Sequence, residues 1–115
     1  MIPYINRFHG HNSLSYVYKN GQTIKSQLII LRFIKNSHRK NSRIAVVVSK
    51  KIFKSAVKRN RIRRRIYECI RPRLNYFNSS YDIVFVVISG DILNISYKEI
   101  NSQIDQIIKQ ARISK

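Results

Sequence analysis

Residues 43–73 read RIAVVVSKKIFKSAVKRNRIRRRIYECIRPR, and the pattern within them decides the fold. The stretch opens with β-branched apolar residues, which favour a strand over residues 43–49. Residues 50–71 are helical in composition, and Pro72 marks the end of that helix because proline cannot continue it. We therefore expect a strand followed directly by a long and strongly basic helix.

Two further helices are predicted outside this stretch. A short helix over residues 12–19 is capped by its first polar side chains and ended by Gly21. The last helix begins at Ser96, which forms a capping box with Glu99. Apolar residues at helical spacing then give this helix one buried stripe, made of Ile100, Ile104, Ile107, Ile108 and Ala111.

Two further strands are predicted from apolar, β-branched runs over residues 27–34 and 81–88. The polar loop over residues 35–42 suggests an antiparallel hairpin between the first strand and the strand at residues 43–49. The last strand is apolar on both faces, which favours a central position. The predicted class is α+β, in the order α-β-β-α-β-α, with three helices against one small sheet.

The length of 115 residues fits one domain over residues 1–115, in which residues 1–11 form a flexible N-terminal arm. The single cysteine, Cys69, excludes an internal disulfide and lies where a buried, small apolar side chain is expected. No apolar run approaches the roughly 18 residues that a membrane span needs, and the N-terminus lacks the apolar core of a secretory signal. We expect a cytoplasmic protein with no membrane partner.

Charge is the strongest compositional signal. The chain has 23 Lys and Arg against 5 Asp and Glu, a formal net charge of +18. Residues 1–67 hold 17 of the basic side chains and no acidic one. A polyanion would offset the resulting repulsion through counterion release. Nucleic acid is favoured as that polyanion over an anionic membrane surface or an acidic protein.

The sequence offers no group of catalytic side chains. His9, His11 and His38 lie in segments without carboxylates at a useful spacing, and the five acidic residues are scattered. His9 and His11 have a spacing that a metal ion can use, but a polar N-terminal segment explains the pair more simply. We therefore predict no catalytic residue and no metal ligand in the protein.

The basic helix divides into three faces at about 100° per residue. Its apolar face is formed by Ile62, Ile66, Cys69 and Ile70. One flank carries Lys58, Arg61, Arg64 and Arg65, and the other carries Arg59, Asn60, Arg63 and Tyr67. Each polar flank can therefore meet a different phosphate backbone.

The same residues resemble the signature of the bacterial ribonuclease P protein subunit. The resemblance rests on Ser49-Lys-Lys after a Val-rich strand, followed by Ala56-Val57-x-Arg59-Asn60-Arg61-Ile62-x-Arg64 in the basic helix. It extends from Leu14 to the last helix. It implies an α/β sandwich with an unusual left-handed β-α-β crossover, whereas general rules favour a right-handed one.

The resemblance also implies a function. Such a protein binds a catalytic RNA subunit and the 5′ leader of precursor tRNA, and assists Mg²⁺-dependent endonucleolytic removal of the leader. The Mg²⁺ is held mainly by the RNA, and no obligate protein partner is implied. By position, the residues expected to bind the RNA subunit are Lys50, Lys51, Lys54, Lys58, Arg61, Arg64 and Arg65. Those expected to bind the leader are Tyr18, Arg32, Phe33, Ser49, Arg59, Asn60, Arg63 and Tyr67.

The chain departs from the family pattern at three positions. Leu14 replaces a usual Phe on the first helix, and Arg32 stands where an aromatic is expected on the first long strand. Tyr67 replaces a basic residue just before Glu68. Arg32 can stack on a base through its guanidinium plane, and Tyr67 can restore an aromatic from the opposite wall.

Two alternative functions share part of this pattern. A ribosomal or other structured-RNA-binding protein shares the charge, but it gives no reason for the Ser-Lys-Lys and Arg-Asn-Arg combination. A DNA-binding helix module lacks support, because the helices do not have helix-turn-helix spacing.

Overall fold

The computed structural model describes residues 11–36 and 40–114. In chain order its main elements are α1 (His11–Asn20), β1 (Gln22–Lys25), β2 (Ile29–Lys35), β3 (Arg43–Val48), α2 (Ala56–Ile70), β4 (Tyr81–Val87) and α3 (Tyr97–Ala111). Two 3-10 helices, Arg71–Tyr76 and Gly90–Asn94, follow α2 and β4. The predicted arm lies outside the described residues except for His11, as do His9 and His38. The α+β class is confirmed.

The sheet has the strand order β1-β2-β4-β3. Strand β4 pairs antiparallel with β2 and parallel with β3, so the predicted hairpin between β2 and β3 is wrong. The connection over residues 36–42 is longer than the roughly 2–5 residues of a tight hairpin, and it lets the doubly apolar β4 insert between the two strands. The central position of β4 is confirmed. The left-handed sense of the β3-α2-β4 crossover stays a prediction.

Strand β1 was absent from the sequence prediction. It pairs antiparallel with β2, and the turn between them is closed by Ser26, whose backbone N–H donates to the carbonyl oxygen of Ile29 at 2.9 Å. Strand β1 is only four residues long, is mostly exposed and lacks a clear apolar alternation, so its sequence carries little strand signal. The order therefore becomes α-β-β-β-α-β-α, in a sheet that is mainly antiparallel as expected.

Helix α2 begins six residues later than predicted. Ser55 adopts an extended backbone and its hydroxyl accepts a hydrogen bond from the N–H of Lys58, which makes it the N-cap. Upstream, the carbonyl oxygen of Ser49 accepts from the N–H groups of Ile52 and Phe53 at 3.2 Å each. Residues 49–55 therefore form a turn, which we call the lysine turn because it carries three lysines.

The main core lies on one face of the sheet, under α2 and α3. The predicted apolar faces of both helices are confirmed, since the fully or almost fully buried residues include Ile62, Ile66, Cys69, Ile70, Ile100, Ile104, Ile107 and Ile108. Burial raises the pKa of the Cys69 thiol, so the thiol is held protonated inside the core. Ser96 caps α3 by accepting from the N–H of Glu99, as predicted.

Helix α1 covers part of the opposite face. Val84 is fully buried, although its neighbours along β4, Ile83 and Phe85, point into the main core. Successive strand side chains alternate between faces, so Val84 lies on the α1 side. Val17 of α1 is also fully buried, and α1 packs against β2 and β4. The sheet therefore has one face covered by two helices and one covered by a single short helix.

Candidate RNA-binding surfaces

The basic flank of α2 is open to solvent. Lys58, Arg61 and Arg64 are exposed and Arg65 is half-buried, as the helical geometry predicts. The first acidic residue along the chain is Glu68, one turn after Arg64 and Arg65, and its carboxylate lies 3.6 Å from Arg71. A helix surface on which four cations precede the first carboxylate is stabilised by an external anion.

The lysine turn extends this charged flank beyond the helix. Lys50, Lys51 and Lys54 are all exposed, while Ile52 and Phe53 are half-buried and pack against the main core. The turn therefore places its apolar side chains inward and its ammonium groups outward. Together with the basic flank of α2, the turn forms one cationic surface, which we call the basic surface.

Three polar side chains on the second flank of α2 form hydrogen bonds within the protein. The guanidinium of Arg59 donates from Nη1 to the carbonyl oxygens of Phe53 at 2.9 Å and Lys54 at 2.8 Å. Arg63 donates from Nη2 to the side-chain oxygen of Asn60. These three predicted leader-binding residues therefore lie together, but their polar groups have partners in the free protein.

Tyr18 and Arg32 form the centre of the α1 side of the sheet. The guanidinium carbon of Arg32 lies 5.2 Å from the ring centroid of Tyr18, and its Nη1 is 3.5 Å from the hydroxyl oxygen of Thr23. Tyr18 is 40% exposed, so packing in the core does not explain it. Burial raises the pKa of the Tyr18 phenol more than the Arg32 charge lowers it, which keeps the ring neutral near pH 7.

A partly exposed apolar strip continues from this pair across the sheet. Arg32 aligns with Val84 and Ala45 on neighbouring strands, and the next row on the same face contains Ile30, Val86 and Val47. All of these except Val84 are only half-buried. We call Ala45, Ile30, Val86 and Val47 the apolar strip. These residues carry no sequence signal of a binding role, because apolar side chains on both faces of a strand indicate a central position in the sheet.

Two of the predicted leader-binding residues are placed elsewhere. Phe33 is only 4% exposed and belongs to the main core, so its assignment to the leader site is wrong. Alternation along β2 puts Phe33 on the face opposite to Arg32. Tyr67 is half-buried against the core, and its hydroxyl accepts from the N–H of Val46 at 3.2 Å, at the free edge of β3. Ser49 is exposed at the end of β3.

Two carboxylates are paired with cations outside these surfaces. Asp82 is buried against Arg43, and Asp105 is shared by Arg73 and Lys109. Within residues 11–36 and 40–114, no three His, Cys, Asp or Glu side chains converge as metal ligands do. In the same ranges, no helix has the length and apolar character needed to cross a bilayer.

Comparison with known proteins identifies the family. A model of the family described as Ribonuclease P matches residues 2–112, almost the whole chain. The chain belongs to the ribonuclease P protein family. This confirms the identification made from the Ser-Lys-Lys and Arg-Asn-Arg motifs. It also gives the function class, the protein component of a ribonucleoprotein endoribonuclease that processes tRNA.

Individual relatives of this ribonuclease P family chain agree with that assignment. It is 40% identical over 102 residues to the ribonuclease P protein component of Clostridium kluyveri, covering 86% of this chain and 88% of the relative. It is 32% identical over 109 residues to that of Alkaliphilus oremlandii, covering 95% and 93% of the two chains. The fold matches the Staphylococcus aureus RNase P protein with a TM-score of 0.85 at 21% identity, over 96% of this chain and 98% of the other.

Proposed function

We propose that this ribonuclease P protein uses two surfaces for two RNA partners. The basic surface binds the RNase P RNA subunit. The α1 side of the sheet, with Tyr18, Arg32 and the apolar strip, binds the 5′ leader of precursor tRNA. The chain thereby assists endonucleolytic removal of the leader, in the cytoplasm, to give the mature 5′ end of tRNA.

The observation that carries the first assignment is a charged surface on which cations far outnumber carboxylates. Six of its seven cations are exposed, and the acidic residue that follows them along α2, Glu68, lies beside Arg71. Each phosphate that such a cation neutralises releases counterions, which strengthens binding and makes it depend steeply on salt. A folded RNA offers closely spaced phosphates on a rigid backbone, which suits a rigid cationic helix.

The second assignment rests on a different chemistry. Single-stranded nucleic acid is typically bound by aromatic stacking together with cations that follow the backbone. Tyr18 offers an exposed ring, Arg32 offers a guanidinium beside it, and the apolar strip offers a surface for further bases. A leader is single-stranded and therefore has bases free to stack there. Because α1 and α2 cover opposite faces of the sheet, the two RNAs can be bound at the same time.

The chemical step is assigned to the RNA subunit. We propose that Mg²⁺ is held mainly by RNA, since the described residues offer no converging group of ligands for it. The protein's part is then to bind and orient. Its cations lower the electrostatic repulsion between two polyanions, so less Mg²⁺ is needed for the RNA subunit and its substrate to associate.

Reconstitution tests this proposal. The purified chain is mixed with a bacterial RNase P RNA and a precursor tRNA at low Mg²⁺, and the 5′ cleavage product is measured. We expect cleavage with protein and RNA together, and none with the protein alone. The RNA alone is expected to need higher Mg²⁺.

The same assay distinguishes the alternative of a general structured-RNA-binding protein. Such a protein would bind the RNA yet leave the Mg²⁺ requirement for cleavage unchanged, and this result would contradict the proposal. Cleavage by the protein without RNA would contradict the assignment of chemistry to the RNA subunit.

A further inference from the structure

The lysine turn is held in place from its apolar side. Ile52 and Phe53 pack against the main core, and the Phe53 ring lies close to Gly90 in the 3-10 helix after β4. The carbonyl oxygen of Ser49 accepts two backbone hydrogen bonds at the start of the turn, and the Ser55 hydroxyl caps α2 at its end. These contacts fix the two ends of the turn.

Two carbonyl groups near the end of the turn accept hydrogen bonds from one side chain. Arg59 lies in the first turns of α2 and reaches back, so that its Nη1 donates to the carbonyl oxygens of both Phe53 and Lys54. Guanidinium is well suited to this contact, because it has five N–H donors in a planar group and stays charged at any relevant pH. Its Nη1 therefore points towards the protein backbone.

The consequence concerns the three lysines on the outer side of the turn. The side chains of Lys50, Lys51 and Lys54 are exposed, so their direction depends on the backbone that carries them. Loss of the Arg59 contacts releases the backbone at residues 53 and 54 without removing any of these ammonium groups. Ordering the released turn would then have to occur during RNA binding, which lowers affinity.

We propose that Arg59 is a positioning residue that pre-organises the lysine turn for the RNase P RNA subunit. This role rests on the proposed function of the basic surface. It differs from the leader-binding role expected from the sequence, because Arg59 acts through the three lysines. It gives the first arginine of the Arg-Asn-Arg motif a different task from Arg61, which is exposed.

Salt dependence separates positioning from direct phosphate contact. The dissociation constant of full-length protein and a bacterial RNase P RNA is measured over a range of salt for Arg59→Ala, Arg59→Lys and Arg61→Ala. We expect both Arg59 variants to bind roughly tenfold more weakly with an unchanged salt slope, because the same phosphates are contacted once the turn is ordered. For Arg61→Ala we expect the slope to fall by about 0.9, the value for one phosphate contact.

A double-mutant cycle tests whether Arg59 acts through the lysines. In a background with Lys50, Lys51 and Lys54 changed to alanine, Arg59→Ala should cause less than half of its usual loss in affinity, because residues that act together are not additive. A full additional loss would overturn the proposal. So would a salt slope that falls by about one unit in Arg59→Ala, or full rescue by Arg59→Lys.

The free protein gives an independent readout. Amide hydrogen exchange at residues 50–54 should become faster in Arg59→Ala, while exchange in β4 and the melting temperature stay unchanged. If exchange at residues 50–54 is unchanged in Arg59→Ala while the unaltered chain binds the RNA normally, the role of Arg59 is overturned and the proposed function is not. Failure of the unaltered chain to bind the RNA would instead overturn the proposed function, and with it this role.

Discussion

The guanidinium of Arg32 lies over the ring of Tyr18, with 5.2 Å between the guanidinium carbon and the ring centroid. The contact joins β2 to α1 and leaves 40% of Tyr18 exposed. A cation beside an aromatic face is favourable by about 0.5–1 kcal/mol at an exposed site. The pair therefore forms a preassembled combination of stacking surface and positive charge on the face proposed for the leader.

We predict that Tyr18→Ala weakens binding of precursor tRNA to the reconstituted holoenzyme. A stacked base contributes about 1–3 kcal/mol, which corresponds to roughly 5- to 150-fold in affinity. Mature tRNA has no leader, so its affinity should hardly change. The measurement is the ratio of the two dissociation constants. Tyr16→Ala is the matched control, because Tyr16 is an exposed tyrosine on the same helix.

The melting temperature of the free variant completes this test. Because Tyr18 is 40% exposed, whereas Val17 of the same helix is fully buried, we expect little loss of stability. An equal loss of affinity for both tRNAs would remove Tyr18 from the leader site. The same conclusion would follow if Tyr16→Ala changed the ratio as much as Tyr18→Ala.

The basic surface gives a second prediction. Arg61→Ala should lower the affinity for the RNA subunit and reduce the salt slope by about 0.9, since one phosphate contact is lost. The free energy of unfolding should stay the same, because Arg61 is exposed. Lys98→Ala removes one exposed charge from α3 and serves as the control. A slope that is unchanged in Arg61→Ala, or equally reduced in Lys98→Ala, would argue against the assignment.

Local signals predicted the helices well. The Ser96 cap and the isoleucine spacing of α3 depend only on neighbours along the chain, and both are confirmed. The start of α2 was placed too early because the composition of the lysine turn resembles that of a helix. Ser55 carried the correct signal, since serine is a preferred N-cap residue.

The strand order and the side-chain partners were harder to predict. The pairing of β4 between β2 and β3 depends on contacts between residues about 40 or more apart, which no local pattern reports. The partners of Arg59 depend on how the chain enters α2. Phe33 is different, because strand alternation already places it opposite Arg32, and the two residues cannot line one face.

Gly21 gives a prediction about how α1 is joined to the sheet. A Cβ atom at this position would lie 2.6 Å from the carbonyl oxygen of Val17 and 2.9 Å from that of Phe33. Both atoms belong to the backbone, so Gly21→Ala should lower the free energy of unfolding by about 1–3 kcal/mol. Gly90→Ala is the control, since a Cβ atom there would lie 3.8 Å from its nearest neighbour, an atom of the Phe53 ring. Equal urea midpoints for Gly21→Ala and the unaltered chain would contradict this account.

Asp105 gives a prediction about pH. Its hydrogen bond from Lys109, reinforced by Arg73, lowers the pKa of the carboxyl below the ordinary 3.8. A lowered pKa in the folded state contributes stability above the unfolded value, and this contribution is lost as the pH falls through the folded pKa. Asp105→Asn should therefore lower the melting temperature slightly at pH 7, since the site is partly exposed and screened.

The difference between Asp105→Asn and the unaltered chain should vanish well below pH 3.8. Asp91→Asn, at an exposed carboxylate in the 3-10 helix after β4, is the control for general charge effects. A difference that persists unchanged at low pH would show that the amide perturbs packing, and that the ionic contact does not contribute.

The buried pair of Arg43 and Asp82 gives the largest predicted effect on stability. Nε and Nη2 of Arg43 lie 2.9 and 2.6 Å from the two carboxylate oxygens of Asp82, and the side-chain amide of Asn36 donates to the second oxygen at 3.1 Å. Both charged side chains are almost fully buried. The pair joins the starts of the parallel strands β3 and β4, where no hairpin connects them.

Asp82→Asn leaves the Arg43 guanidinium buried without its carboxylate, so the free energy of unfolding should fall by about 3–5 kcal/mol. Replacing both residues with apolar side chains, Arg43→Met with Asp82→Leu, removes the buried charge altogether and should recover most of that loss. Urea unfolding of the two variants and the unaltered chain measures both effects. If the double variant is no more stable than Asp82→Asn, the cost is not an uncompensated charge. The pair would then be needed for its hydrogen-bond geometry at the junction of β3 and β4.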